Sequence, residues 1–198
     1  MKSLAALCLS LLALAPSAPG PSAAPSRPSD QFFDALSALC GQAFAGRIVA
    51  NEPENPADPF AGQTLVMHVR TCGAEEIRVP FHVGENRSRT WVLTRTATGL
   101  RLKHDHRHED GGEDAVTQYG GDTVAAGTAN RQEFPADAAC RELFTRQNMP
   151  ASLPNIWALE LEPGQRFVYE LARPGRLFRV EFDLTRPVAP PPPPWGQG

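Results

Sequence analysis

The sequence predicts a mainly β protein, an antiparallel up-and-down meander of about eight to ten strands that closes into a barrel. The first reason is a period of two: apolar and polar residues alternate along successive segments, as in residues 76–83, EIRVPFHV. The second is that short, turn-rich pieces such as CGA, GENRS and ATG separate these segments. The third is that strand-like segments do not alternate with helices, which argues against a parallel sheet.

The first element of the predicted domain is a helix. Residues 30–39, DQFFDALSAL, repeat apolar positions at helical spacing, and Ser29 or Asp30 supplies the start. A second, short helix is predicted over 137–147, DAACRELFTRQ, with Asp137 as its N-cap. This helix comes directly before the last three predicted strands.

Strands are predicted wherever the period of two persists between turn residues. Their ranges are 43–50, 64–71, 76–83, 90–96, 100–109, 156–161, 166–172 and 176–185. The Gly/Thr-rich stretch 114–133 has room for two further short strands, around Gly120-Gly121 or Gly127. The tight turns PGQ and RPGR join the last three strands, as hairpins require.

Composition limits the classes of function. The chain has 198 residues, of which 41% are hydrophobic, so one domain with a true core is expected. The formal net charge of −3 gives no basic surplus, and we expect no nucleic-acid partner. Neither a phosphate-binding glycine loop nor a nucleophile elbow is present, so we predict no catalytic residue. The sequence leaves the oligomeric state open.

The ends of the chain differ from its middle. We expect a signal peptide and processing region (1–24), a Pro/Ser linker (25–29), a β-barrel domain (30–186) and a Pro-rich tail (187–198). Lys2 and the apolar run 4–14 are typical of a signal peptide, and the run is too short to span a bilayer. The sequence therefore predicts export, to the periplasm or out of the cell, with no membrane span in the mature chain.

The cysteines fit an exported protein. Cys8 would be removed with the signal peptide, which leaves Cys40, Cys72 and Cys140. Because the segments next to Cys40 and Cys72 can pair as strands, a Cys40–Cys72 disulfide is the preferred bridge, with Cys140 as the spare thiol. Three reduced, buried cysteines are the alternative.

The order of elements resembles that of a known superfamily. A helix, a long meander and a short late helix before the last strands resemble the calycins, the lipocalin-like barrels, and the chain as a whole resembles exported proteins of Gram-negative bacteria. Residues 40–46, CGQAFAG, lie where lipocalins carry Gly-x-Trp on the first strand, and the tryptophan is missing here. The resemblance implies a barrel with a lumen and implies no particular activity.

A row of histidines marks one strand. In residues 100–114, LRLKHDHRHEDGGED, three of the five histidines of the chain occupy alternate positions: His104, His106 and His108. They share a face with Leu100 and Leu102, whereas the residues between them are all charged. Because strand side chains alternate between faces, the histidines are predicted to point into the barrel.

Inward histidines allow three interpretations. In the first, His104, His106, Tyr169 and Phe81 line a lumen that holds a small-molecule ligand. In the second, the histidines are satisfied by neighbouring side chains or water, with no ligand. The third is a metal site.

The metal interpretation uses His104, His106 and His108 as ligands for zinc or another transition metal, in a binding protein or a metal-dependent enzyme. A straight row splays the three rings, so a further ligand from another strand would be needed. The candidates are His68, His82, Glu160 and Glu170.

Two further segments have an open role. Trp195 in the Pro-rich tail could dock on an envelope partner, which would make the protein an interaction module. Arg87, Arg89 and Arg95, with Trp91, could contact an anionic surface, but we expect them on a solvent-facing hairpin.

Overall fold

The computed structural model describes residues 26–54 and 58–197. Across these residues the chain forms one eleven-stranded antiparallel sheet that is nearly closed into a barrel, together with two α-helices. The predicted fold class is thereby confirmed. The predicted signal peptide and processing region lies outside the described residues.

The helices and strands agree closely with the predicted segments. The helices are α1 (Pro28–Ser37) and α2 (Ala138–Arg146), and a 3-10 turn covers Pro150–Ser152. The strands are β1 (Ala43–Glu52), β2 (Leu65–His68), β3 (Thr71–Cys72), β4 (Glu76–Val83), β5 (Asn86–Arg95), β6 (Leu100–His106), β7 (Tyr119–Asp122), β8 (Arg131–Pro135), β9 (Ile156–Glu162), β10 (Arg166–Arg173) and β11 (Arg176–Val188). Of the two short strands expected in the Gly/Thr-rich stretch, β7 contains Gly120 and Gly121, whereas β8 begins after Gly127, at Arg131, and extends beyond the stretch.

The strand order is that of a meander whose first and last strands meet. It runs β7-β6-β5-β4-β2-β1-β11-β10-β9-β8, and β3 pairs with β4 beside this path. The seam between β7 and β8 has no strand pairing. Instead, Asp137 at the start of α2 donates its backbone N–H to the carbonyl of Gly120 at 3.0 Å and accepts a 2.6 Å bond from Lys103. Side-chain and backbone bonds therefore complete the wall at this seam.

Helix α1 covers one end of the barrel. Its Phe32, Phe33 and Leu36 are buried at the helical spacing seen in the sequence. The guanidinium of Arg95, at the end of β5, lies 4.0 Å from the ring centroid of Phe33 and bonds Asp30 at 2.7 Å. The apolar face of α1 therefore covers this end of the barrel, and the contacts of Arg95 with Phe33 and Asp30 hold the helix in place.

Aromatic rings fill the middle of the barrel. The ring of Trp91 on β5 stacks on that of Tyr169 on β10, with centroids 4.5 Å apart, and on that of Phe81 on β4 at 4.9 Å. Phe167 and Phe182 complete this layer, with centroids 6.1 Å apart. Each fully buried ring contributes about 1.5–3 kcal/mol to stability. These rings stack directly across the interior of the described barrel, and a cavity lies at the end away from α1.

The predicted disulfide is confirmed. Cys40, after α1, and Cys72, in β3, are bonded, with their Cα atoms 6.2 Å apart. Cys140 lies buried in α2 as a free thiol. The bridge ties the α1–β1 connection to the strand beside β4, across 32 residues of sequence.

The described part of the Pro-rich tail folds back onto the outside of the barrel. Trp195 donates its backbone N–H to the carbonyl of Arg87 at 3.1 Å, and Arg87 bonds the carbonyl of Pro193 at 3.1 Å. Arg70 bonds the carbonyl of Gln197 at 2.9 Å. In the described portion of the chain, no helix combines the length and apolar character needed to cross a membrane.

The seam between β7 and β8 generates a testable prediction. A Cβ atom added at Gly121 would overlap the carbonyl oxygen of Pro135 and lie 3.0 Å from the backbone nitrogen of Asp137. Gly121→Ala should therefore push the seam apart and lower the free energy of unfolding by about 2 kcal/mol or more, measured by urea denaturation.

Gly73→Ala is the matched control, because its Cβ would meet only the carbonyl oxygen of Glu76 at an ordinary 3.5 Å. We expect a change within about 0.5 kcal/mol for this variant. Equal losses of unfolding free energy in the two variants would show that the close approach of Gly121 to Pro135 and Asp137 does not limit the side chain at this position.

Candidate functional site

The end of the barrel opposite α1 opens into a cavity of about 400 Å³, which we call the mouth cavity. Its wall comes from the ends of β5, β6, β7, β9, β10 and β11, from α2 and the 3-10 turn, and from loops that follow β1 and β6. The aromatic lining residues are Phe60, Tyr119, Phe144, Trp157, Tyr169 and Phe178. The polar and charged lining residues are Arg89, His106, Asp114, Ser152, Asn155, Arg173 and Arg176.

Arg89 points into the barrel, contrary to the expectation of a solvent-facing hairpin. On β5 it shares a face with the buried Trp91, and it pairs in register with His106 on β6. Arg95 lies on the same face and packs against α1. The expectation failed because β5 pairs regularly with β6 from Arg89 to Arg95, so the buried position of Trp91 sets the direction of both arginines.

His104 is a buried structural imidazole beneath the mouth cavity. Its Nδ1 lies 3.2 Å from the carbonyl oxygen of Tyr119 and its Nε2 lies 2.9 Å from the hydroxyl of Tyr169. Because a carbonyl only accepts, Nδ1 carries the hydrogen and Tyr169 donates to Nε2. Burial lowers the pKa of His104 to about 3, so the ring is neutral at pH 7. His104 therefore supports the floor of the cavity and does not line it.

His106 lines the mouth cavity directly. Its Nε2 lies 3.0 Å from the hydroxyl of Tyr119, and among the described residues its Nδ1 has no hydrogen-bond partner. Burial, followed by the charge of Arg89, lowers the pKa of His106 to about 4, although Asp114 and Asp105 act in the opposite direction. His106 thus presents a neutral imidazole with one free polar atom to a ligand.

His108 does not continue the histidine row. Strand β6 ends at His106, and His108 is exposed in a turn where its backbone N–H bonds the carbonyl of Gly112 at 2.8 Å. The alternation of side chains between the two faces of β6 therefore ends before His108, and His108 does not point into the barrel.

The metal prediction for His104, His106 and His108 gains no support from the described residues. No group of three or more His, Cys, Asp or Glu side chains is placed there to hold an ion. Two of the further ligands considered, Glu160 and Glu170, are bound in ion pairs with Arg131 and Arg179.

The four residues predicted to line a lumen separate into two layers. His106 and Tyr169 line the mouth cavity, with the Tyr169 ring stacked on Trp91. His104 and Phe81 are each 2% exposed and lie in the packed layer below. Desolvation raises the pKa of Tyr169, so its hydroxyl stays protonated and keeps its donated hydrogen bond to His104.

The charge of the mouth cavity is unbalanced. Three arginines line it against one carboxylate, that of Asp114. Arg176 lies 3.8 Å from the carboxylate of Asp58, outside the lining. In the described part of the chain Arg89 and Arg173 take part in no ion pair. Burial lowers the pKa of Arg89, whereas the nearby Tyr119, Tyr169 and Asp114 act in the opposite direction.

Several lining residues carry no sequence signal. Tyr119 reaches the cavity from β7, whereas Phe60 and Val116 come from loops. Their neighbours in sequence show no periodicity that would place them. Their positions depend on contacts with other parts of the barrel. The inward position of Arg89 was readable in principle from its two-residue spacing to Trp91.

Comparison of the chain with protein-family profiles, with curated protein sequences and with solved structures gave no match. The chemistry of the mouth cavity therefore carries the functional argument.

The neutral state of the buried histidines predicts a pH-dependent stability. In the folded protein the pKa of His104 lies near 3, whereas the ordinary value of 6.5 applies to the unfolded chain. The unfolded state therefore binds more protons below about pH 6.5, and the free energy of unfolding falls as the pH falls. Relative to about pH 7.5, His104 alone should account for a loss of about 1–2 kcal/mol at about pH 5.

Urea denaturation of wild type and His104→Gln at both pH values measures this contribution. The variant should be less stable at neutral pH and should lose about 1–2 kcal/mol less on acidification. His108→Gln, at an exposed position, serves as the control and should follow wild type. Identical losses in wild type and His104→Gln would contradict a neutral buried imidazole.

Proposed function

We propose that the protein is an exported, non-catalytic barrel of calycin-like architecture that binds a small organic molecule in the mouth cavity. One observation carries the proposal: an open cavity of about 400 Å³ lies above a tightly packed aromatic floor. Small-molecule sites typically measure about 300–1,000 Å³, with mainly apolar walls and a few polar groups. The mouth cavity meets both criteria.

The protonation states favour binding over catalysis. The pKa values of His104 and His106 are lowered to about 3 and about 4, and burial raises the pKa of the Tyr119 hydroxyl. None of these groups exchanges a proton readily near neutral pH, which general acid–base catalysis requires. Cys140 is buried, and burial raises the pKa of its thiol, which disfavours the reactive thiolate.

The proposed export rests on the leader-like residues 1–24 and on the Cys40–Cys72 bridge. Disulfides persist in the periplasm and outside the cell, whereas the cytosol keeps thiols reduced. A binding barrel in such a compartment would sequester or carry its ligand.

A neutral fluorescent probe tests the proposed function. N-phenyl-1-naphthylamine should bind saturably, with increased fluorescence, because its rings fit the aromatic wall. Val116→Trp adds a large side chain to the lining and should weaken binding at least about tenfold by filling the cavity. Val49→Trp is the control, because Val49 lies on β1 and is 42% exposed.

The proposal fails if wild type shows no saturable binding, or if Val116→Trp binds the probe as tightly as wild type. Native mass spectrometry of protein purified without denaturation from an exporting bacterial host provides a second test. A bound small molecule should be present in wild type and absent from Val116→Trp.

A further inference from the structure

The mouth cavity contains positive charge that the described protein does not neutralise. Arg89 hydrogen-bonds the side-chain oxygens of Asn86 at 2.9 Å and Ser88 at 3.2 Å, both neutral acceptors. Its guanidinium carbon also lies 5.2 Å from the ring centroid of Phe60. A partly buried cation without a carboxylate partner carries an uncompensated desolvation cost.

Arg173 repeats this arrangement on the facing wall. It hydrogen-bonds the side-chain oxygens of Ser152 at 3.3 Å and Asn155 at 3.2 Å, again neutral and both on buried residues. The walls face each other because Trp91, two residues beyond Arg89, stacks on Tyr169, four residues before Arg173. Two unpaired guanidinium groups therefore flank the cavity above one aromatic stack.

The single carboxylate among the described lining residues offsets these charges only in part, because Asp114 attracts Arg89 but forms no ion pair with it. One oxygen of Asp114 accepts the backbone N–H of Val116 at 2.7 Å, which fixes the carboxylate in its own turn. The neutral His106 adds a polar contact without adding charge. Most of the remaining wall is aromatic or aliphatic, which suits a flat apolar body better than a fully hydrated inorganic ion.

We infer that the mouth cavity selects a small organic carboxylate whose anionic group lies between Arg89 and Arg173 and whose planar, apolar body rests against the aromatic wall. This inference rests on the proposed function and names the ligand class for the same site. A ligand carboxylate would offset the desolvation cost of both arginines with charge-assisted hydrogen bonds. A neutral ligand of equal shape would leave both cations unpaired.

Displacement of N-phenyl-1-naphthylamine by two matched competitors tests the inference. Naphthalene-2-carboxylate and naphthalene-2-carboxamide share a ring system and differ in charge. We expect the carboxylate to bind at least about tenfold more tightly than the amide, a difference of about 1.4 kcal/mol. Added salt should weaken the carboxylate more than the amide.

Three substitutions locate the effect. Arg89→Gln and Arg173→Gln should each weaken the carboxylate about tenfold or more while leaving the amide within about threefold. Asp114→Asn should strengthen binding of the carboxylate, because it removes the only negative charge among the described lining residues. Arg186→Gln is the control at an exposed position of β11 and should change neither competitor.

The outcomes separate the inference from the proposed function. Carboxylate and amide competing equally, or arginine variants that leave the carboxylate unaffected, overturn the inference while probe binding sustains the proposed function. If the carboxylate fails to displace the bound probe, the inference is likewise overturned and the proposed function stands. If wild type does not bind the probe at all, both proposals fall. Retained probe binding in the arginine variants shows that they are folded.

Discussion

The stack of Trp91 on Tyr169 is the contact on which the rest of the interior depends. It joins β5 and β10 directly across the barrel, with ring centroids 4.5 Å apart. The Tyr169 hydroxyl then bonds His104, whose other nitrogen bonds the backbone of Tyr119 on β7. Three walls are thereby held together by one aromatic and polar layer. Below it, buried rings and α1 pack the barrel, and above it lies the mouth cavity.

Arginines serve two different purposes in this molecule. On the outer surface, Arg131 and Arg179 are surrounded by Glu160 and Glu170, so their charges are satisfied within the sheet. At the mouth, Arg89 and Arg173 bond only neutral oxygens among the described residues. A satisfied network stiffens a wall, whereas an unsatisfied cation in a cavity retains its capacity to bind an anion. Because of this contrast, the proposed ligand site lies in the mouth cavity and not on the outer surface.

The outer face of β6 shows how distant chain segments alter burial. Asp105 lies on the charged face of β6, opposite His104 and His106, yet it is 3% exposed. Arg78 and Arg107 bond its carboxylate, and Gln197 from the folded-back tail bonds it at 3.3 Å. Alternation gave the correct face for Asp105, because it points away from the lumen, but the tail covers that face. Facing away from the core and being exposed are therefore separate properties.

The sequence by itself determined the local elements, because periodicity, turn residues and caps act over a few neighbouring residues. It specified most strands, the helix capped by Asp137, the Cys40–Cys72 bridge and the inward direction of His104 and His106. Tertiary structure decided that β6 ends before His108 and that Arg89 and Arg173 line one cavity. It also decided that the lumen is packed around Phe81 and open above Tyr169. These features depend on how side-chain volumes from strands far apart in sequence fit together, and no local pattern encodes that fit.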